Sequence, residues 1–172
     1  MGSTGLVTPA LEALVTPPLE FHDLYTHHWE TVYRAALRVT GNPPDAEDVL
    51  QSVFLRMLNR QMPIDPMGSP ARYLRRAATN AAIDLLRRKT FLAETRIQEE
   101  HDYGSRESSL LLKERLRRSL AKLPSRDAEL FVLCYLEGYS YDELAREFEM
   151  EHGTVASRLH RIRKTLQEDL QK

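Results

Sequence analysis

The sequence has one cysteine and no long apolar run, and each of these shortages excludes a class of protein. The single thiol, Cys134, excludes an internal disulfide and a zinc site built from several cysteines, and its apolar neighbours indicate a buried structural residue. No apolar stretch reaches the length of a membrane span. Residues 1–20 lack both a basic start and a continuous apolar core, so they do not resemble a signal peptide. We therefore expect a cytoplasmic protein that is not inserted in a membrane, with a disordered leader over residues 1–18.

The chain also lacks the sequence motifs of an enzyme. It contains no glycine-rich phosphate-binding loop, no G-x-S-x-G and no H-E-x-x-H. His22, His27 and His28 have neither the cysteines nor the matched carboxylates that would complete a metal site, so surface or interface histidines are the simpler interpretation. We therefore expect no catalytic residue, no bound metal and no cofactor.

The chain as a whole has almost no excess of one sign of charge, but some of its segments do. The net charge is −1, whereas an independent DNA-binding protein usually has a strong basic excess. Residues 72–89 nevertheless hold six basic side chains and one acidic one, and residues 152–164 hold four basic side chains and no acid. Acidic residues concentrate in residues 45–48 and 90–109. This distribution suits a protein that contacts nucleic acid twice while a protein partner engages the acidic parts.

Apolar residues recur every three or four positions and predict an all-α protein. The first helix is predicted over residues 19–40, with Gly41 at its end. Asn42 is suited to cap a second helix and Pro43 to occupy its first position. The apolar stripe of this second helix faces the core and consists of Ala46, Val49, Leu50, Val53, Phe54, Met57 and Leu58. The outward positions include Glu47, Asp48, Gln51 and Ser52.

A third helix and a linker complete the predicted N-terminal half. Three prolines and a glycine predict a loop over residues 61–70, and periodicity predicts a helix over residues 71–89. The buried stripe of this helix is Leu74, Ala77, Ala78, Ala81 and Leu85, and its opposite face carries Tyr73, Arg76, Asn80 and Arg87. We expect one helical domain over residues 19–89, a flexible acidic linker over residues 90–109 and a second small helical domain over residues 110–172.

The second domain has the pattern of a helix-turn-helix. Pro124 interrupts its first helix, a further helix is predicted over residues 127–137, and Ser140 with Glu143 forms a capping box that opens a short helix. The segment GTVASRLHRIRKTL, residues 153–166, then places Val155, Leu159, Ile162 and Leu166 on one stripe. Its opposite face carries Thr154, Ser157, Arg161 and Lys164, with Arg158 on the flank. Short side chains near the helix start let the backbone approach DNA, and arginines further along reach guanine edges or phosphates.

These motifs resemble the extracytoplasmic-function (ECF) sigma factors of bacterial RNA polymerase. YLEGYSYDELA at 135–145 and GTVASRLHRIRK at 153–164 are similar to their C-terminal domain. GNPPDAEDVLQSVFLRM at 41–57 resembles their core-binding helix, and YLRRAATNAAIDLLRRK at 73–89 resembles their promoter-melting helix. The order, spacing and length agree over roughly residues 19–170.

The resemblance implies a promoter-specificity subunit that binds core RNA polymerase and promoter DNA, with an anti-sigma protein as a further partner. The implied polymerase contacts are Asp45, Glu47, Asp48 and Gln51. The implied contacts to the melted −10 element are Tyr73, Arg76, Asn80 and Arg87. The implied contacts to the duplex −35 element are Thr154, Ser157, Arg158, Arg161 and Lys164. Residues 61–70 would capture a flipped base, and residues 90–109 would thread toward the polymerase active site.

Two acids depart from the family pattern and keep other functions open. Glu149 and Glu151 stand where the family commonly has Gly and Ser, and they should repel phosphate at the DNA-facing tip. Two alternatives remain: a polymerase-independent helix-turn-helix regulator, and a sigma mimic that sequesters an anti-sigma protein without contacting promoters. The two acids favour the second alternative, and the near-neutral net charge disfavours the first.

Overall fold

A computed structural model describes residues 19–59, 69–95 and 108–171 of the 172-residue chain. These residues form seven helices and no strand, which confirms the predicted all-α class. In chain order the helices are α1 (Leu19–Thr40), α2 (Pro43–Leu58), α3 (Pro70–Thr95), α4 (Ser108–Lys122), α5 (Ser125–Tyr135), α6 (Tyr141–Glu147) and α7 (His152–Leu170). The expected leader, most of the predicted 61–70 loop and most of the predicted linker lie outside the described residues. No helix in the described ranges is both long and apolar enough to cross a membrane.

Helices α1 and α2 begin and end where their local signals place them. Gly41 adopts a positive φ of 74°, which ends α1, and the Asn42 side chain accepts a hydrogen bond from the Asp45 N–H at 2.9 Å. Pro43 occupies the first turn of α2. Helices α1, α2 and α3 pack on one another through the alanines and valines of their facing stripes. Helix α3 packs against α1 and α2 on one side only. Its other side packs against the C-terminal half.

Helix α3 is longer than predicted and is buried on more than one side. It continues to Thr95 because no proline or glycine interrupts the chain after residue 89. Leu74, Ala78 and Ala81 are buried as predicted, but Ile83 and Leu86 are buried as well. The reason is that α3 contacts α4 and α5 in addition to α1 and α2. The two halves of the chain thus meet along α3.

The C-terminal half contains the predicted helix-turn-helix. Ser140 accepts a hydrogen bond from the Glu143 N–H at 3.2 Å, and the Glu143 carboxylate accepts one from the Ser140 N–H at 2.9 Å, so both bonds of the capping box are present. Val155, Leu159, Ile162 and Leu166 of α7 are all buried. Helix α5 begins at Ser125, directly after Pro124, and therefore starts earlier than predicted. Cys134 is half-buried against the core, and burial raises the pKa of its thiol.

Candidate nucleic-acid interface

The outer side of α7 presents an exposed polar and basic surface, which we call the α7 basic face. It consists of Thr154, Ser157, Arg161 and Lys164, all of which are exposed. Burial of the opposite stripe fixes this orientation, since the four apolar residues of α7 pack against the rest of the C-terminal half. The face therefore projects two short side chains near the start of the helix and two long cations further along. This arrangement fits the major groove of duplex DNA.

Arg158 differs from its neighbours on α7 because it is already engaged within the protein. Its Nε donates a hydrogen bond to the Asp127 carboxylate on α5 at 2.5 Å, and its side chain is only 29% exposed. The pair ties α7 to α5 beneath it. Arg158 is predicted to contact DNA, and in this structure its guanidinium is paired with Asp127.

The turn that leads into α7 carries the two acids noted above. Glu149 has a φ of 52°, a left-handed conformation that side chains with a Cβ rarely adopt. Glu151 is the N-cap residue of α7, yet its side chain makes no capping hydrogen bond. Both residues are exposed beside the α7 basic face. They place negative charge at the start of α7, next to the α7 basic face.

A second candidate surface lies on α3 and is covered by the C-terminal half. We call Tyr73, Arg76, Asn80 and Arg87 the α3 basic face. The Arg76 guanidinium donates to Glu129 at 2.5 Å and to Glu147 at 2.8 Å, and it stacks 5.1 Å from the centre of the Phe148 ring. Burial alone would lower the pKa of Arg76, but the two carboxylates outweigh it and raise the pKa. The arginine is thus held in its charged form among groups of the other half.

Asn80 and Arg87 are engaged in the same way. The Asn80 amide donates to the Glu129 carboxylate at 3.0 Å. Arg87 donates to the carbonyl oxygens of Ala121 and Leu123, at 3.2 and 2.8 Å, and to the Ser125 hydroxyl at 2.6 Å. Arg87 therefore satisfies carbonyl groups at the end of α4, and three of the four residues on the α3 basic face bond to the C-terminal half.

Sequence reasoning missed the partners that cover α3. Arg72 pairs with Glu143 and lies over the Tyr139 ring. Glu137 accepts a hydrogen bond from Arg38 at 2.8 Å and lies 3.5 Å from Arg75, with its side chain only 1% exposed. The available signal was charge complementarity, because the basic segment at 72–89 has its counterpart in the glutamates of the C-terminal half. That signal does not say which glutamate meets which arginine.

The outward side of α2 is acidic and free to meet a partner, apart from one residue. Glu47, Asp48 and Gln51 are exposed, and we call them the α2 acidic face. Asp45 was predicted to belong to this surface, but the structure places it elsewhere. It is 6% exposed, and its two carboxylate oxygens accept hydrogen bonds from Lys89 at 2.5 and 2.6 Å. Asp45 therefore links the start of α2 to α3 and is not part of the outward surface.

An apolar groove adjoins the α2 acidic face. It is a shallow, open groove of about 320 Å³ between α1 and α2, lined by Phe21, Tyr25, Gln51, Phe54, Leu55 and Leu58. The rings of Tyr25 and Phe54 meet edge to face with their centres 4.9 Å apart. Within the described residues, no group of histidine, cysteine or acidic side chains is arranged to hold a metal ion.

Comparison with known proteins finds matches in both halves. The family model for Sigma-70 region 2 matches residues 24–91, and that for Sigma-70, region 4 matches residues 113–166. The ECF RNA polymerase sigma factor SigL of Mycobacterium tuberculosis is 32% identical over 158 residues, which cover 84% of this chain and 88% of SigL. SigE of Mycolicibacterium smegmatis is 33% identical over 158 residues, covering 87% of this chain, and the chain spans 61% of that relative's length.

A solved structure shares the fold. The sigma factor RpoE of Bartonella quintana, in complex with the anti-sigma factor NepR, superposes with a TM-score of 0.50 and is 21% identical. The match covers 88% of this chain and 97% of that one. The same order of helical elements therefore accommodates both sequences.

Proposed function

Because this chain belongs to the ECF RNA polymerase sigma factors, we propose that it binds core RNA polymerase and directs it to specific promoters. The observation that carries the proposal is the pair of region matches, because each region contains one of the two basic faces. The matches do not favour either alternative, a polymerase-independent regulator or a sigma mimic. The protein acts by positioning the polymerase and has no catalytic chemistry of its own.

The α7 basic face reads the −35 element as duplex DNA. Thr154 and Ser157 lie near the start of α7, where a recognition helix comes closest to base edges. Arg161 and Lys164 follow at the distance of one and two further turns, and both are exposed. Arginine is suited to the guanine edge and lysine to phosphate. Arg158 also helps to hold α7 in position, because it pairs with Asp127 on α5.

The α3 basic face holds the non-template strand of the melted −10 element. Tyr73 and the arginines offer planar groups on which unpaired bases stack, and Asn80 offers an amide for a base edge. All four residues lie on one side of a single helix, so they follow one strand in register. This role needs the face to be uncovered, which distinguishes it from the α7 basic face.

The α2 acidic face docks on a basic surface of the polymerase. Glu47, Asp48 and Gln51 are exposed and are supported by the buried stripe of α2. The adjoining apolar groove supplies desolvated area beside the charges, as a stable protein interface requires. The site works in the cytoplasm, where the polymerase is, and an anti-sigma protein is a further partner, as NepR is for RpoE of Bartonella quintana.

Two modest DNA contacts act together once the polymerase fixes their separation. Each face alone offers only a few side chains, so each binds weakly. A large enzyme that holds both on one promoter makes the second contact intramolecular, which raises the combined affinity by a factor of about 10² to 10⁴.

Run-off transcription with purified core polymerase tests the proposal. A library of promoter fragments is transcribed with and without this chain, and the start sites are mapped. We expect promoter-specific transcripts only when the chain is present. Transcripts that do not depend on the chain, or specific DNA binding without any transcript, would contradict the proposed function.

A further inference from the structure

The apolar groove between α1 and α2 leaves several large side chains exposed together within the described residues. Tyr25, Leu55 and Leu58 line this groove and are 41%, 56% and 39% exposed. Phe21 and Phe54 line it as well, and their rings meet edge to face with their centres 5.9 Å apart. Large apolar side chains gathered in one concave place indicate a surface that another chain segment covers.

The groove lies beside the point where the described residues begin. Helix α1 starts at Leu19, and both Phe21 and Tyr25, in its first two turns, line the groove. Residues 1–18, which lie outside the described residues, therefore join the fold next to this apolar surface. Even a short part of them is long enough to reach it, because a chain spans up to about 3.5 Å per residue.

The sequence of residues 1–18 is suited to an apolar site and not to a charged one. It contains one acidic side chain, Glu12, and no basic one, so it has no charged side chain that would pair with the α2 acidic face. Leu11, Leu14 and Val15 follow the spacing i, i+3, i+4, which is typical of apolar side chains on one side of a helical turn. This apolar set is the part of the segment that matches the groove.

The lengths of the segment and of the groove also agree. Pro17 and Pro18 disfavour one continuous helix from residues 9–15 into α1, so the chain is able to turn back at this point. The connection is of the length that joins antiparallel helices, usually about 2 to 8 residues. The α2 side of the groove runs from Gln51 to Leu58, which is about 10 Å along a helix, and the segment over 9–15 spans about the same length if helical.

We propose that residues 9–15 occupy the groove in the free chain, with Leu11, Leu14 and Val15 packed between α1 and α2. The polymerase competes for the same groove, because it docks on the adjoining α2 acidic face. The segment must leave the groove before the full interface forms, so it lowers the affinity for polymerase. Only this competition rests on the proposed function, since the docking of the segment does not depend on it.

The size of the groove disfavours a second copy of the chain as its occupant. A stable interface between proteins uses about 20–30 residues on each side, whereas six residues line the groove. A segment of the same chain needs much less area, because it is tethered within reach and loses little translational freedom when it docks.

Photo-cross-linking in the full-length chain identifies the occupant. Leu55→p-benzoylphenylalanine places a photoreactive group in the groove at a residue that is 56% exposed, and Glu47→p-benzoylphenylalanine places it on α2 outside the groove. Mass spectrometry of the peptides locates the cross-linked partner. We expect an intramolecular cross-link to residues 9–15 from the first position and none from the second. A cross-link only to residues 60–68, only to a second copy or to nothing would overturn the proposal.

Substitutions ahead of α1 test the competition. Leu11→Ser with Leu14→Ser weakens the docked segment, and Leu6→Ser with Val7→Ser, outside residues 9–15, is the matched control. We expect the first pair to reduce the cross-link and to tighten binding to core polymerase, each at least about fivefold, because a larger fraction of the chains has an open groove. The control should stay within about twofold of the wild type in both measurements, since its docked side chains are unchanged.

The outcomes separate the docking, the competition and the proposed function. A cross-link that persists in Leu11→Ser with Leu14→Ser would show that the docking is wrong. A lost cross-link with unchanged polymerase affinity would show that the competition is wrong. If the holoenzyme gives no promoter-specific transcript while the cross-link forms as expected, the proposed function fails and the docking of residues 9–15 stands.

Discussion

The Arg76 Nε and the Glu129 Oε1 lie 2.5 Å apart, although the two residues are 53 positions apart and belong to opposite halves of the chain. The same Glu129 oxygen accepts a hydrogen bond from Asn80. One carboxylate thus engages two residues of the α3 basic face. The four residues of the α7 basic face are exposed within the described part of the chain, so the two candidate DNA-binding surfaces differ in accessibility within one molecule. We therefore expect substitutions in the α2 acidic face, the α3 basic face and the α7 basic face to affect polymerase binding, −10 recognition and −35 recognition, respectively.

Removing Asn80 or Arg76 should impair promoter opening more than polymerase binding. In holoenzyme, Asn80→Ala or Arg76→Ala should reduce opening about tenfold, since a base contact contributes about 1–3 kcal/mol. Permanganate reactivity of the −10 thymines measures opening, and fluorescence anisotropy measures affinity for core polymerase. Asp48→Ala is the contrasting variant and should weaken polymerase binding without changing −10 recognition. Equal losses of polymerase affinity in all three variants would show that the faces are wrongly assigned.

Arg161 and Arg158 should behave differently although they lie three positions apart on α7. If Arg161 makes a bidentate base contact, Arg161→Ala costs about 1–3 kcal/mol at one base pair of the −35 element. If it contacts only phosphate, the variant instead lowers the salt dependence of binding by about one unit.

Arg158→Ala should mainly lower the free energy of unfolding, because the variant loses the hydrogen bond and ion pair that Arg158 makes with Asp127. Asp127→Asn is the control and should reproduce the stability loss without changing the −35 preference. A −35 mutation scan in which Arg158→Ala relaxes one base preference and Asp127→Asn does not would contradict the bracing role.

Local signals were sufficient for the presence and order of the helices, but not for every helix boundary or for the way in which the two halves meet. The Asn42 cap, the capping box at Ser140 and the α7 stripe depend on residues within a few positions of one another, so they can be read from the sequence. The second buried side of α3 depends on contacts with α4 and α5, which no helical period encodes. Asp45 looked like an ordinary acid at a helix start, and only the fold brings Lys89 to it. The individual contacts to polymerase and promoter stay predictions.

Replacing Glu149 by glycine should stabilise the protein. The left-handed φ of 52° costs a residue with a Cβ about 1 kcal/mol, and glycine avoids this strain while losing part of the gain through its freer unfolded state. We expect Glu149→Gly to raise the free energy of unfolding by about 0.5–1 kcal/mol in urea titrations. Glu149→Ala removes the same charge but keeps the Cβ, so it should bring no such gain. Both variants should strengthen binding of −35 duplex at low salt, and a stabilised alanine variant would refute the strain argument.

Asp45 should make the stability of the protein depend on pH in the acid range. Burial alone would raise the pKa of Asp45, but hydrogen bonds from Lys89 and Asn42 outweigh it and hold the pKa below the ordinary value. Its contribution is therefore complete above the unfolded-state pKa of about 4 and is lost as the pH falls through the lower folded-state pKa. Asp45→Asn should be about 1 kcal/mol less stable than the wild type at pH 7.

The difference between Asp45→Asn and the wild type should shrink as the pH is lowered from about 4 toward 2, in urea titrations at each pH. Glu47→Gln, at an exposed position of the same helix, is the control and should follow the wild type closely. A stability difference for Asp45→Asn that is the same at every pH would mean that the charge of Asp45 does not contribute.

The most direct test compares the affinity of free chain and of holoenzyme for one promoter fragment that carries both elements. Fluorescence anisotropy at fixed salt gives both dissociation constants, and fragments with either element scrambled give the dependence on each. We expect holoenzyme to bind at least about 100-fold more tightly than the free chain and to lose that advantage when either element is scrambled. A free chain that binds the intact promoter as tightly as the holoenzyme does would contradict the account.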